Sequence, residues 1–406
     1  KKSPEESYGT ETGLVLADVH LAIKNLKKWM RPQKASTNLV NLPSSSRVYR
    51  DPLGVVYIIA PWNYPFQLLF IPLVGAIAGG NCVVLKPSEL APATAEISEK
   101  LISEIFPSDY VRVLPGDGAE IVPATIRSFR FDHIFYTGSI PVGKAVYQLA
   151  AAQLIPVTLE LGGKSPARIE QDANLKIAAR RIAFGKFINA GQSCVAPDYL
   201  LIHESVKDPF IHQLKETISE FFGSNASASD SFGRIINRKR FDKLVSYLSL
   251  GNIILGGQYD PDSLFLAPTI IDGVDLNSTM MNEEIFGPIL PVFTFSTQKE
   301  AISIIQRQPN PLSFYLFTKN KSKERSWIEA LPFGSGCINN TAWQFGNHYL
   351  PFGGIGASGI GAYHGKYSFE VFTHAKPVMK TPLWFDPSIK YPPFKGKMKW
   401  FKLFIR

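Results

Sequence analysis

Between residues 55 and 161 one unit follows another, a short apolar run rich in β-branched residues and then a longer segment of helical character. The runs Val55–Ala60, Cys82–Lys86, Val111–Leu114, His133–Tyr136 and Val157–Leu161 read as buried strands, and 66–79, 92–106, 119–126 and 141–153 between them read as helices. A strand followed by a helix must cross over before it pairs again in parallel, and a run apolar on both faces must be covered on both. The unit therefore predicts a mostly parallel sheet with helices on either side. A second α/β series follows, with a helix near 173–190, a strand at Tyr199–His203, helices near 206–222 and 238–250, and strands near 268–273, 290–295, 313–318 and 336–340. With 406 residues there is room for two or three domains. No linker, repeat or low-complexity stretch divides them, so a boundary near 158 rests on the position of the motifs.

At 45% hydrophobic and 19% charged residues, the composition is that of a folded protein and excludes a disordered chain. The three cysteines, Cys82, Cys194 and Cys337, are too few and too scattered for a disulfide framework, which suits a reducing compartment. Seven histidines show no metal-binding spacing, so no metal is expected. The net charge of +9 could suggest nucleic acid, but from Lys376 to Arg406 eight basic residues face one acid, so this segment carries +7 of the total. Its last ten residues, from Lys397 to Arg406, mix cations with bulky aromatic and aliphatic side chains. That pattern suits a membrane interface better than a nucleic acid.

Chemistry concentrates in a few places. Cys194 lies in Gly191-Gln-Ser-Cys-Val195, thirty-four residues after Glu160 in Leu159-Glu-Leu-Gly-Gly-Lys164. A thiol and a carboxylate are what a nucleophile and a water-activating base require. Gly191 is expected to end the preceding helix in the left-handed conformation, leaving Cys194 on a loop. The Pro61-Trp-Asn-Tyr-Pro65 loop puts Asn63 at the carboxyl edge of the sheet, where its amide can hold an oxyanion. Lys86 and Glu89 close the second strand, and Gly138 with Ser139 forms a turn into a helix whose free N–H groups suit a pyrophosphate. Taken alone these pieces have plainer readings: a lone cysteine is usually a small buried hydrophobe, as Cys82 and Cys337 are read, and Lys86 with Glu89 is an ordinary ion pair.

Together with Phe135-Tyr-Thr-Gly-Ser139, Glu283-Glu-Ile-Phe-Gly-Pro288 and the run from Pro351 to Phe372, these motifs resemble the aldehyde dehydrogenase superfamily and its class 3 branch. The tail, with Ile389-Lys-Tyr-Pro-Pro393, is similar to that of the membrane-anchored fatty aldehyde dehydrogenases. The resemblance implies an α/β fold with a Rossmann-like cofactor domain over 1–158, a catalytic domain over 159–350, a bridging segment over 351–380 and a membrane-proximal tail over 381–406. A small oligomerisation hairpin, to which 40–52 contributes, and a homodimer are implied as well. Cys194 would attack the aldehyde while Asn63 and the Cys194 backbone N–H hold its oxygen, and the resulting thioester would be hydrolysed with Glu160 as first candidate base and Glu284 as second. NAD is the expected cofactor, with NADP as the alternative: Trp62 and Phe286 would pack beside it, Glu284 would meet the nicotinamide ribose, Lys86 and Glu89 the adenosine ribose, and Gly138 and Ser139 the phosphates.

The same resemblance implies a long-chain aldehyde substrate, no nucleic-acid partner, and an intracellular place on a cytosol-facing membrane of endoplasmic reticulum, outer mitochondrial membrane or lipid droplet. A membrane anchor and amino-terminal helices found in those relatives are expected to lie outside the sequence. Rival readings are an aromatic aldehyde dehydrogenase, an acylating enzyme that passes the thioester to coenzyme A, a cysteine hydrolase and a catalytically silent binding protein.

Overall fold

The structure, a computed structural model, describes residues 2–308 and 310–405, so that Lys1 and the terminal Arg406 of the basic tail lie outside the described residues. The first five apolar runs form one sheet. Its spatial order is Gly359–Ile360, Val157–Glu160, His133–Thr137, Val55–Ile59, Cys82–Lys86 and Val111–Val113, parallel throughout except where Gly359–Ile360 joins. Val56 and Ile58 pack with Leu69 and Leu73 on one face, and Tyr57 and Ile59 with Val122 and Val146 on the other. That period-two division of an apolar strand is why both faces carry helices. Strand order reverses between Val55–Ile59 and His133–Thr137, and the loops after these two strands diverge there to leave a crevice.

A second sheet runs in the order Asn252–Leu255, Thr269–Asp272, Ile289–Phe295, Tyr199–His203, Pro166–Ile169, Ser313–Phe317 and Ser335–Ile338, again parallel after the first pair. The strand Pro166–Ile169 has no counterpart in the sequence reading, because the preceding glycines read as loop. Proline is tolerated at its first position, and all four residues are buried. Since Val157–Glu160 belongs to the first sheet, the chain crosses between sheets over 161–165 and the expected boundary at 158 falls inside a strand.

A third, antiparallel sheet joins Gln33–Ala35, Ser45–Pro52 and Thr373–Lys380, the last pairing continuously from Thr373 opposite Pro52 to Lys380 opposite Ser45. Where a hairpin was expected there are three strands, because the strand from the far end of the chain covers the open edge of Ser45–Pro52. The segment 351–380 also supplies Gly359–Ile360 to the first sheet. The helix Gly13–Trp29, absent from the sequence reading, lays Val15, Leu21, Ala22 and Trp29 against the helix Gln67–Ala78. The tail ends in a short helix, Met398–Phe404, with Trp400 stacked on Phe404. Among the described residues no helix is long and apolar enough to cross a membrane.

Candidate active site

The crevice at the strand-order reversal is the floor of a cleft of about 520 Å³. Trp62, Asn63, Gly138, Ser139, Glu160, Cys194, Glu284 and Phe286 all line it. Eight of the ten expected site residues therefore converge, although they come from five separate stretches of sequence. Lys86 and Glu89 do not line this cleft. They close the neighbouring strand, where Lys86 is buried and bonds the Pro87 carbonyl (2.6 Å) and Glu89 (3.2 Å), while Glu89 also accepts the Gly118 N–H at 3.3 Å. Their strand lies beyond Val55–Ile59, on the far side from His133–Thr137, with Lys86 level with Ile59 at the same carboxyl edge of the sheet.

Cys194 is reached through an unusual backbone. The helix Leu175–Phe187 stops at Phe187, four residues before the glycine expected to end it, and Asn189, Ala190 and Gly191 follow with φ of 53°, 51° and 73°. Left-handed conformations cost about 1–2 kcal/mol at a non-glycine residue, so neighbours must fix them. The Asn189 side chain donates to the Asn63 carbonyl (2.9 Å) and the Gln192 carbonyl (3.1 Å). Buried Gln192 donates to the Asn189 and Arg234 carbonyls (3.0 and 2.9 Å) and accepts the Ile236 N–H (3.0 Å). The Asn63 amide donates to the Gln192 carbonyl at 3.1 Å, which ties the candidate oxyanion donor to the cysteine loop. Gly191 is required twice over, since a Cβ there would strike the Gly287 carbonyl as well as strain the positive φ.

The two carboxylates differ in how they are held. Glu160 ends its strand buried, and neither oxygen has a hydrogen-bond partner; burial pushes its pKa well above the usual carboxylate range. A buried carboxyl without a partner is costly as an anion, so it favours the neutral form until water or a ligand reaches it. Glu284 is likewise raised, to about 8, by burial and then by Asp198, while Arg240, Lys164 and the Gly163 N–H pull it down. Its loop is anchored from below: Lys164 pairs with Asp198 and donates to the Met280 and Glu283 carbonyls (2.8 and 2.9 Å), and Asp198 accepts the Ile285 N–H (2.9 Å). Burial and both glutamates also raise the Cys194 thiol, against the pull of the Cys194 and Val195 N–H groups. The sequence reading passed over Lys164, Asp198, Asn189 and Gln192; their one sequence-level sign was membership in the same motifs.

Gly162 explains part of the glycine pair after Glu160, because a Cβ there would land on the Glu284 carboxylate. Gly162→Ala is expected to displace Glu284 and lower kcat roughly 10- to 100-fold while the melting temperature holds, since the flexible end of a side chain gives way. Steady-state kinetics beside a melting curve check this; an unchanged kcat would show that Glu284 has no fixed place in turnover.

The cleft suits a dinucleotide. Thr137 Oγ1 is buried without a partner, and the helix Ile140–Ala151 begins at Ser139 with no side-chain cap, leaving its first N–H groups open to the cleft. Trp62 meets Phe286 edge to face, 5.4 Å between ring centroids, on the cleft wall. On the other side Cys194 borders a second cavity with a nearly apolar lining that includes Leu14, Leu68, Phe184, Val195, Trp343 and Phe345. Among the described residues its lining ends at Gly346, so the tail beyond 376 contributes nothing to it. A thiol bordering both a partly polar cleft and an apolar cavity, with two raised carboxyls alongside, can pass an acyl group from a carbonyl substrate to water.

Fold and site define an oxidoreductase of two α/β units with a cysteine lining its cleft. The chain belongs to the aldehyde dehydrogenase family, whose sequence pattern matches residues 5–378. It is 47% identical to the 4,4'-diaponeurosporen-aldehyde dehydrogenase of Staphylococcus aureus, over all of this chain and 88% of that protein. It is 42% identical to the mouse aldehyde dehydrogenase family 3 member A2, over all of this chain and 84% of the relative. A solved structure of Staphylococcus aureus AldH in a substrate-bound state superposes with a TM-score of 0.97 at 47% identity, covering all of this chain and 88% of that one. An indole-3-acetaldehyde dehydrogenase in complex with NAD+ superposes with a TM-score of 0.85 at 30% identity, covering 94% and 78%. The chain is an NAD(P)-dependent aldehyde dehydrogenase.

Proposed function

We propose that this enzyme oxidises long, apolar aldehydes to carboxylic acids. The observation that carries the reading is the apolar cavity bordering Cys194 opposite the cofactor cleft, which can take a hydrocarbon tail while leaving the carbonyl at the thiol. The name of the Staphylococcus aureus relative, which specifies a diaponeurosporen aldehyde, supports the same class. Aromatic aldehydes are the second reading, favoured by Phe184 stacked on Trp343 (5.6 Å, 6°) in the cavity wall. A series of alkyl aldehydes of rising length, run beside benzaldehydes with NAD and with NADP, tests both. Rising kcat/KM with chain length is expected; a preference for benzaldehydes would displace the long-chain reading.

In this mechanism the Cys194 thiol gives its proton to water in the cleft and the sulfur adds to the aldehyde carbon. The Asn63 amide and the Cys194 N–H hold the oxygen as it gains charge. Trp62, Gly138, Ser139, Glu284 and Phe286 would hold NAD, or NADP as the alternative, which would supply the hydride acceptor needed for the adduct on Cys194 to become a thioester. Glu160, unpartnered at the thiol, takes a proton from water; the oxygen attacks the thioester carbon, the C–S bond breaks to release the acid, and the Glu160 proton passes to the departing sulfur to restore the thiol. Glu284, tethered by Gly163 and set among Arg240 and Lys164, is better suited to orienting the cofactor side of the cleft. The mechanism requires no metal.

The tail is proposed to rest on a membrane surface, facing the cytosol. Supporting this, Leu383 is fully exposed and Trp384, Trp400, Leu403 and Ile405 are exposed beside the lysines. The enzyme is expected to bind anionic vesicles, less so as salt rises, and to lose most of that binding when 395–406 is deleted. Equal sedimentation of the deletion variant with vesicles would rule out an interfacial tail. We also propose a homodimer built on the third sheet, whose outer strand Thr373–Lys380 is exposed along all but its first residue.

A further inference from the structure

Two loops from distant parts of the sequence carry Asn63 and Cys194, and the first dozen residues of the chain grip both. Glu6 accepts the N–H of Asn189, the first of the left-handed residues before Cys194, at 2.9 Å. Glu11, which is buried, accepts the N–H of Phe66 at the end of the Asn63 loop at 2.9 Å and pairs with Lys2 at 2.7 Å. The Lys2 ammonium also reaches the Asn63 carbonyl at 3.3 Å. Two residues after Glu6 the backbone enters a π turn, Tyr8–Thr12, that contains Glu11 and is closed by the Gly13 N–H on the Tyr8 carbonyl. In an α-helix residues five apart would point about 140° away from each other. The wider π turn, which spans Glu11, reduces that divergence, and the carboxylates of Glu6 and Glu11 both reach the loops. The same turn presents Gly9 and Thr10, with Leu14 just beyond, to the apolar cavity.

We propose that the π turn with Glu6 and Glu11 is a positioning clamp: it holds Cys194 and Asn63 in register, and a hydrocarbon tail packed on Gly9, Thr10 and Leu14 tightens that register. The second half rests on the reading of the apolar cavity as the tail site. Because a tail would then contribute to alignment as well as to affinity, kcat itself should rise with chain length, beyond any fall in KM. Neither glutamate touches the reacting atoms; both act through backbone N–H groups.

The test is steady-state kinetics of the full chain with Glu6→Ala, Glu6→Asp and Glu6→Gln, using a short and a long alkyl aldehyde. With the short aldehyde, Ala and Asp are expected to lower kcat roughly 10- to 100-fold, since small misplacements of a nucleophile are costly, with KM for NAD within about twofold of the parent. Gln, whose amide oxygen still accepts the Asn189 N–H, is expected to recover most of the loss. KM should still fall with chain length in the Ala variant while kcat becomes independent of it. The clamp is overturned if Ala and Asp keep the parent kcat, or if Gln falls as far as Ala. The Asp variant keeps the test open if Ala fails to fold. A parent with no preference for long chains would sink the tail-site reading, yet the short-aldehyde arm would still decide the clamp.

Discussion

Rapid mixing of the Glu160→Gln variant with aldehyde and NAD is expected to give a burst of reduced cofactor close to one per Cys194, then a steady rate lowered about 100-fold or more. The burst counts thioester formation, which needs the thiol and Asn63; the slow phase reports water without its base. Glu284→Gln is expected to shrink the burst as well, because that side chain faces the cofactor side. The pH dependence gives a second reading. A base works ionised, and burial raises Glu160 well above its ordinary range, so hydrolysis in the parent should fall as pH drops through a limb lying above the usual carboxylate range. Glu160→Gln should abolish that limb. A burst in Glu284→Gln, together with a normal steady rate in Glu160→Gln, would reverse the assignment.

Cys194→Ala is expected to abolish aldehyde-dependent NADH formation, by roughly 10⁴-fold or more, while NAD still quenches tryptophan fluorescence through Trp62 at the cleft. NADH made at the parent rate by this variant would refute the thioester mechanism outright. The rival chemistries separate in the same assays. An acylating enzyme would require coenzyme A and be indifferent to Glu160→Gln, and a cysteine hydrolase would turn over esters without any cofactor.

How far the sequence could be read depended on where the physical constraint lay. Strands such as Val55–Ile59 and His133–Thr137 were legible because burial on both faces leaves an unbroken apolar run. Pro166–Ile169 is four residues behind a glycine-rich turn, and Gly359–Ile360 is two residues whose pairing with Glu160 and Leu159 is settled only in three dimensions. The helix Gly13–Trp29 did carry a sign, buried positions at 15, 18, 21, 22 and 29, that suits a helical face. In the site, Cys194, Asn63, Glu160 and Glu284 could be named because each sits in a distinctive motif. Glu6 and Glu11 could not: they look like the surface glutamates of any helix start, and only depth and backbone contact mark them out.

The joining of Gly359–Ile360 to Val157–Glu160 has a consequence for how the protein is made. A ribosome delivers the five-stranded part of the first sheet early, but its last edge strand appears some two hundred residues later. Until then the strand bearing Glu160 has an open edge, and the second partner of Ser45–Pro52, Thr373–Lys380, comes later still. Long-range pairings of this kind slow folding and leave edges exposed to other chains. The cleft is thus among the last parts of the molecule to be completed, and a nascent chain short of its final strands carries Cys194 without the strand that borders Glu160.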